Sequence, residues 1–359
     1  MTISAERAER AGRVQTVRGL VDPAVLGPVM MHEHLLLDIR CLLGPVPAGL
    51  PADFASLPVT PAIRADLVHH PITNLDDLLL DDEPVAIDEV RRYAAAGGGT
   101  IVDTTPIGVG RDPAALRRIS EATGVHVTMG TGFYVEACQP PDVERLPEGA
   151  LADLMVREIE DGVGDSGIRA GHIGEIGCEG PTEPELKVLR AAAQAQGRTG
   201  AMLSIHQAYR AGRGDTIHRL LDTVEAAGGS VSRTVLGHMD RSGAEPDLQV
   251  SLLARGATIE YDLFGYEQSH SAWEREPPSD SRRILDFRRL VAAGFRDQLV
   301  VAQDICFKTM LVRYGGWGYA HVLRRVAAGF RALGLPADDL DAILVANPRR
   351  LLTFVPPAG

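Results

Sequence analysis

From about residue 97 the chain alternates short β-branched or apolar runs with helical stretches, and nothing else in it constrains the fold as strongly. The runs are 100–104 (TIVDT), 125–130 (VHVTMG), 172–176 (HIGEI), 201–206 (AMLSIH), 232–238 (SRTVLGH), 257–263 (ATIEYDL) and 298–304 (QLVVAQD); an earlier run at 27–34 (GPVMMHEH) makes eight. Amphipathic windows at 83–95, 113–123, 151–162, 184–198, 216–227 and 281–293 separate them. Strands that alternate with helices of this length build βαβ units and a parallel sheet. Eight units predict an α/β fold of the closed (β/α)8 TIM-barrel type. An open nucleotide-binding sheet is disfavoured, because the first strand lacks a following GxGxxG.

At 359 residues the chain fits one barrel domain with insertions. Residues 1–26 read as an extension and short hairpin, and 336–355 as terminal helices on the outside. Residues 40–82, punctuated by Pro45, Pro47, Pro51, Pro58, Pro61 and Pro71, read as a loop at the barrel mouth, since they follow the first strand. The formal charge of −12 leaves no electrostatic footprint for nucleic acid or an anionic membrane surface. The polar start and the absence of a long apolar run point to a cytoplasmic protein without a membrane span. Cys41, Cys138, Cys178 and Cys306 lie far apart with no paired spacing, which reads as four reduced thiols.

In a TIM barrel the C-terminal strand ends ring one face, and active sites are assembled there from several strands. His32 and His34 fall at the end of the first predicted strand, Glu175 near the end of the fourth, His206 and His238 at the ends of the fifth and sixth, and Asp304 at the end of the eighth. The i, i+2 spacing of His32 and His34 puts both imidazoles on one face and turns Glu33 away from it. With Asp304 they can grip one divalent ion. His206 and His238 can hold a second, and Glu175, or Glu179 four residues on, can bridge the two. Imidazole and carboxylate donors with open positions suit Zn²⁺, with Mn²⁺, Co²⁺ or Fe²⁺ as alternatives. A pair of such ions brings the pKa of a shared water near neutrality and polarises a carbonyl or phosphoryl oxygen.

The segments VQTVRGL, LGPVMMHEHL, GTGFYV (130–135), RAGHIGEIG (169–177), SIHQ (204–207), VLGHMDR (235–241), VAQD (301–304) and YGGWGY (314–319), in this order, resemble the phosphotriesterase family of the amidohydrolase superfamily. The resemblance runs from about Val14 to the C-terminus. It implies a binuclear metal site with His32, His34 and Asp304 on the more buried ion, His206 and His238 on the more exposed one, and a strand-4 residue between them. Many members place a carboxylated lysine there. Neither of the two lysines, Lys187 and Lys308, is at that position, and HIGEIGCEG resembles the glutamate-bridged subgroup called phosphotriesterase homology proteins. A glutamate carries the same single negative charge as a carbamate, so the metal pair is preserved, while organophosphate hydrolysis becomes the weaker expectation. The resemblance also implies a homodimer.

On the substrate side, Tyr134 is either a core aromatic or, as in lactone-hydrolysing relatives, a group facing the metals. Lys308, four residues past Asp304, is either a substrate-anion partner or a solvated side chain. Trp273 and Trp317 lie in the loops after the seventh and eighth strands, and Arg241 is placed to pair with a carboxylate. The function expected is hydrolysis of a carboxylic ester, lactone or amide of a small molecule, with Asp304 receiving the proton of the attacking water. The alternatives are an organophosphate triester hydrolase and a non-catalytic small-molecule-binding protein on the same fold, since fold alone does not fix function.

Overall fold

A computed structural model describes residues 10–207, 212, 214–267 and 277–357. Eight parallel strands form the sheet: β1 (Val29–Glu33), β2 (Thr100–Asp103), β3 (His126–Thr131), β4 (His172–Cys178), β5 (Leu203–Gln207), β6 (Thr234–Leu236), β7 (Thr258–Tyr261) and β8 (Leu299–Val301), each paired with its sequence neighbour. The expected (β/α)8 architecture is therefore present. The strands are apolar and buried along their length, as parallel strands covered by helices must be.

The seam between β8 and β1 is closed largely by a side chain. Glu33, fully buried, accepts the Gln303 backbone N–H (2.8 Å) and side-chain amide (2.6 Å) on one carboxylate oxygen and the Ile305 N–H (3.0 Å) on the other. The Asp304 N–H donates to the His32 carbonyl at 3.2 Å. Burial pushes the Glu33 carboxyl up to about 8 against the pull of these donors. Glu33 points away from its histidine neighbours, as the spacing predicts, and its work is to pin the last strand to the first.

The helices that wrap the barrel start where the sequence offers a cap. Asp82 accepts the Val85 N–H ahead of α1 (Glu83–Ala95), and Asp112 accepts the Ala115 N–H ahead of α2 (Pro113–Thr123); each helix also carries a proline in its first turn. Thr182 and Glu185 form a capping box at the start of α3 (Glu183–Thr199), and left-handed Gly124 and Gly200 end α2 and α3. The expected N-terminal hairpin is Val14–Thr16 paired with Gly19–Val21, and the chain closes with helical segments at Ala337–Asp341, Ala342–Ala346 and Asn347–Leu352. Among the described residues no helix is long and apolar enough to cross a membrane.

The mouth loop has structure of its own. A two-residue antiparallel pair (Leu37–Asp38 with Leu79–Leu80) closes its base, and Phe54, Val59 and Leu67 form a small core inside it. The Asn74 side chain ties the segment together, donating to the Phe54 and Leu57 carbonyls and accepting the Asp76 and Asp77 N–H groups. Two of the cysteines expected to be reduced are instead joined: Cys41, in this loop, is disulfide-bonded to Cys138, in the loop after β3, while Cys178 and Cys306 are free thiols. Their separation of 97 residues carried no sign of proximity. Only the ring arrangement of the mouth loops brings the two together.

Candidate metal centre

The six ligand-type residues meet at the C-terminal end of the barrel around Glu175. One Glu175 oxygen lies 3.2 Å from His32 Nε2, 3.1 Å from His206 Nδ1 and 3.7 Å from His238 Nε2; the other lies 3.5 Å from His34 Nε2. Asp304 Oδ1 lies 3.3 Å from His34 Nε2 and 3.7 Å from His32 Nε2. His238 Nε2 and His206 Nδ1 are 2.8 Å apart. Donors that share a tetrahedral ion at about 2.0–2.1 Å are themselves about 3.3 Å apart. The observed spacings straddle that value, and two sets, His32 with His34 and Asp304, and His32 with Glu175 and His238, bring all their donor atoms within 4.8 Å of one another.

Other observations show that the residues fit divalent cations. His32 is fully buried, and neither ring nitrogen has a hydrogen-bond partner among the described residues. Burial opposes charge on the His32 and His238 imidazoles, yet the surrounding carboxylates hold His32 well above its usual value and His238 up to about 10. Burial likewise opposes ionisation of Glu175 and Asp304, but the imidazoles hold Glu175 well below the usual carboxylate range and Asp304 down to about 2. A cluster whose carboxylates keep their negative charge against desolvation is one that calls for cations.

The backbone is strained where these groups emerge. His238 (φ 57°) and Asp304 (φ 48°) are the two non-glycine residues with positive φ among the described residues. Left-handed conformations at such side chains cost about 1–3 kcal/mol and persist where the surroundings enforce them. Gly174, just before Glu175, has φ +126°, and a Cβ there would come within 2.5 Å of the Ser204 carbonyl. Only glycine lets β4 approach β5 closely enough to put Glu175 beside His206.

A second layer behind the ligands was not found from sequence. Asp262, fully buried just past β7, accepts the His238 backbone N–H (2.9–3.0 Å) and lies 3.0 Å from His238 Nδ1 and 3.4 Å from His32 Nδ1. Glu260, on the same strand, lies 3.5 Å from His32 Nδ1. Carboxylates in these places fix the imidazole tautomer and leave Nε2 for a metal. The signal was present: Glu260 and Asp262 show the same i, i+2 spacing that drew attention to His32 and His34. On the first strand, His34 Nδ1 is held by Thr105 Oγ1 at 2.9 Å.

Above the ligands opens a cavity of about 270 Å³. Tyr134 lines it, with its hydroxyl 3.4 Å from His206 Nδ1 and the rings edge to face. Glu179 is exposed at the rim, so Glu175 is the glutamate that lies among the histidines. Lys308 is placed elsewhere. Its ammonium sits 2.5 Å from Asp76 Oδ1 and 5.8 Å from the centre of the Tyr314 ring, tying the mouth loop to the segment after β8 outside the catalytic cavity. The reason is local pairing: the aspartate that the mouth loop brings over β8 satisfies the cation before any substrate can. Trp317 packs on Tyr266 and against Gly265 and does not line the cavity. Trp273 lies outside the described residues. Arg241 does line the cavity.

The family model for the phosphotriesterase family matches residues 12–352. An N-acetyltaurine hydrolase from Tetraodon nigroviridis is 38% identical over 348 residues, covering 96% of this chain and 99% of the relative. The solved structure of a resiniferatoxin-binding protein from Rhodobacter sphaeroides superposes with a TM-score of 0.91 at 39% identity, covering 96% of this chain and 95% of that one. A lactonase from Listeria monocytogenes superposes with a TM-score of 0.75 at 25% identity, covering 95% and 99%.

Proposed function

Because the chain belongs to the phosphotriesterase family, whose hydrolase relatives match it end to end, we propose that it is a binuclear metal-dependent hydrolase of a carboxylic ester, lactone or amide. An amide is the favoured class, since relatives named N-acetyltaurine hydrolase are 37–38% identical over 96% of this chain, against 25% for the lactonase structure. The observation that carries the reading is the convergence of His32, His34, His206, His238 and Asp304 on the Glu175 carboxylate. His32, His34, Glu175, His206, His238 and Asp304 would hold two divalent ions, zinc as the first choice, and such ions would lower the pKa of a water and polarise the scissile carbonyl.

The chain's own groups do the rest. His34 presents Nε2 because its Nδ1 is held by Thr105, His238 does so because its Nδ1 is held by Asp262, and His32 turns Nε2 toward Glu175. Glu175 keeps both oxygens among the imidazoles. Asp304 carries its second oxygen free of His34 and 3.9 Å from His238 Nδ1, in place to take the proton of the attacking water and pass it to the leaving group. Tyr134, over His206, donates its hydroxyl to the substrate's polar atoms on the side of the more exposed ion. A non-catalytic binding role is the second reading, and the resiniferatoxin-binding structure favours it. The complete donor set together with Asp304 supports turnover over binding alone.

Metal analysis combined with a screen of esters, lactones and N-acyl amides tests the reading. Replacing His206 or His238 by alanine is expected to remove about one ion per chain and abolish turnover. Full activity with both ions retained in either variant would refute the assignment.

A further inference from the structure

Arg283, in the helix Asp280–Ala292 that follows β7, is a fully buried cation. Its guanidinium divides its donors among three places. Nε pairs with Asp240 Oδ2 at 2.6 Å, Nη1 pairs with Asp280 Oδ1 at 3.0 Å, and Nη2 donates to the Tyr266 carbonyl at 2.8 Å. Asp240 is itself buried, on the turn Met239–Ser242, two residues past His238. Asp280 Oδ1 also accepts the Gly265 N–H at 2.9 Å, and its Oδ2 lies 2.6 Å from His321 Nε2, beyond β8. One side chain thus ties the turn after β6 to the loop after β7 and, through Asp280, to the segment after β8.

Both tied loops reach the candidate metal centre. His238 stands in the left-handed region immediately ahead of the β6 turn, a conformation that persists where the surroundings enforce it. Asp262 holds its N–H and Nδ1; the turn that follows is held by Asp240 on Arg283 and by the Gln249 amide, which donates to the Met239 carbonyl at 2.9 Å. On the β7 loop, Leu263 and Tyr266 line the cavity over the ligands. Replacing a buried ion pair by well-packed apolar residues is often neutral or stabilising, so stability does not account for charge at this place. What the guanidinium supplies is direction: its rigid planar fork meets two carboxylates and a carbonyl in one arrangement.

We propose that Arg283 is a positioning residue for the metal centre. Through Asp240 it fixes the turn that carries His238, the group assigned to the more exposed ion, and through Tyr266 and Asp280 it fixes the β7 side of the cavity. The proposal rests on the binuclear reading for the assignment of the ions, but not on turnover.

The experiment uses the full-length protein loaded with zinc and a graded chelator. The Asp240→Leu/Arg283→Met double variant removes both charges of the pair together. It should keep a circular dichroism spectrum and an unfolding midpoint close to wild type, yet release one of two zinc ions at about tenfold or more lower chelator concentration, with the other held as in wild type. R283K keeps the charge without the fork, so it should release the same ion at an intermediate concentration; it carries the test where the double variant does not fold. In a Trp273→Phe background, where Trp317 is the single tryptophan and packs on Tyr266, R283K should also shift the emission of the metal-free protein. Both ions held at wild-type affinity in R283K, or both weakened alike, would overturn the proposal, as would a lowered midpoint with unchanged metal retention. A wild type that binds fewer than two zinc ions would count against the binuclear reading instead; the Trp317 emission then decides the positioning role, which stands if R283K shifts it and falls if it does not.

Discussion

Replacing Asp262 by asparagine isolates the layer behind the metal ligands. In the native protein this carboxylate accepts the His238 N–H at 2.9–3.0 Å, faces His238 Nδ1 at 3.0 Å and lies 3.4 Å from His32 Nδ1. One group thus sets the tautomer of His238 and stands close behind His32. Asparagine keeps the shape but has one acceptor oxygen and an amide that donates. If the oxygen stays on the His238 backbone, the amide points at a ring nitrogen and favours the tautomer with the proton on Nε2, where a metal must bind. Loss of such a partner typically weakens metal affinity 10- to 100-fold, or about 1.4–2.7 kcal/mol. The Asp262→Asn protein should therefore fold, as judged by circular dichroism, but lose metal in a chelator competition at about tenfold or more lower chelator concentration. Turnover should recover when excess metal is added. A variant that keeps both ions at wild-type affinity would show that Asp262 does not orient these imidazoles.

Two further outcomes follow from the mouth loop. Asp77 is buried, accepts the Thr309 N–H at 2.8 Å and is pushed by that burial up to about 7. A carboxyl raised in the folded state binds more protons than the unfolded chain between about pH 4 and 7, so its contribution is present at low pH and fades as pH rises through 7. Asp77→Asn should thus become progressively more stable than wild type as pH rises from 5 to 8, by at most ~4 kcal/mol, in urea titrations; a pH-independent difference would contradict the burial argument. The Cys41–Cys138 bond spans 97 residues, and a chain-entropy estimate for such a loop is about 4–5 kcal/mol. Reductant, or the double serine variant, should lower the unfolding midpoint and raise KM, because Cys41 adjoins the cavity residues Ile39 and Leu42 and Cys138 follows Tyr134 by four residues. An unchanged midpoint would sink this expectation.

The strand-end pattern carried a large share of the result because barrel geometry is so restrictive. Once eight parallel strands are granted, period-2 alternation decides which residues face inward, and His32, His34, His206, His238 and Asp304 have few places to go. Even Glu33 turned outward as its spacing required, although its role in closing the β1–β8 seam depends on Gln303 and Ile305, some 270 residues away. Loops have no comparable rule. Lys308, which the sequence leaves as either a substrate-anion partner or a solvated side chain, lies against Asp76 from the far end of the mouth loop.

The amino-acid order by itself fixed the class of fold, the side of the barrel that carries chemistry and the kinds of donor gathered there, because these follow from local periodicity and from the ligand chemistry of each side chain. The folded chain alone decided which cysteines pair, which cation is already neutralised and which carboxylates steady the imidazoles. Those are matters of distance between loops whose paths depend on packing, and short-range pattern does not encode them.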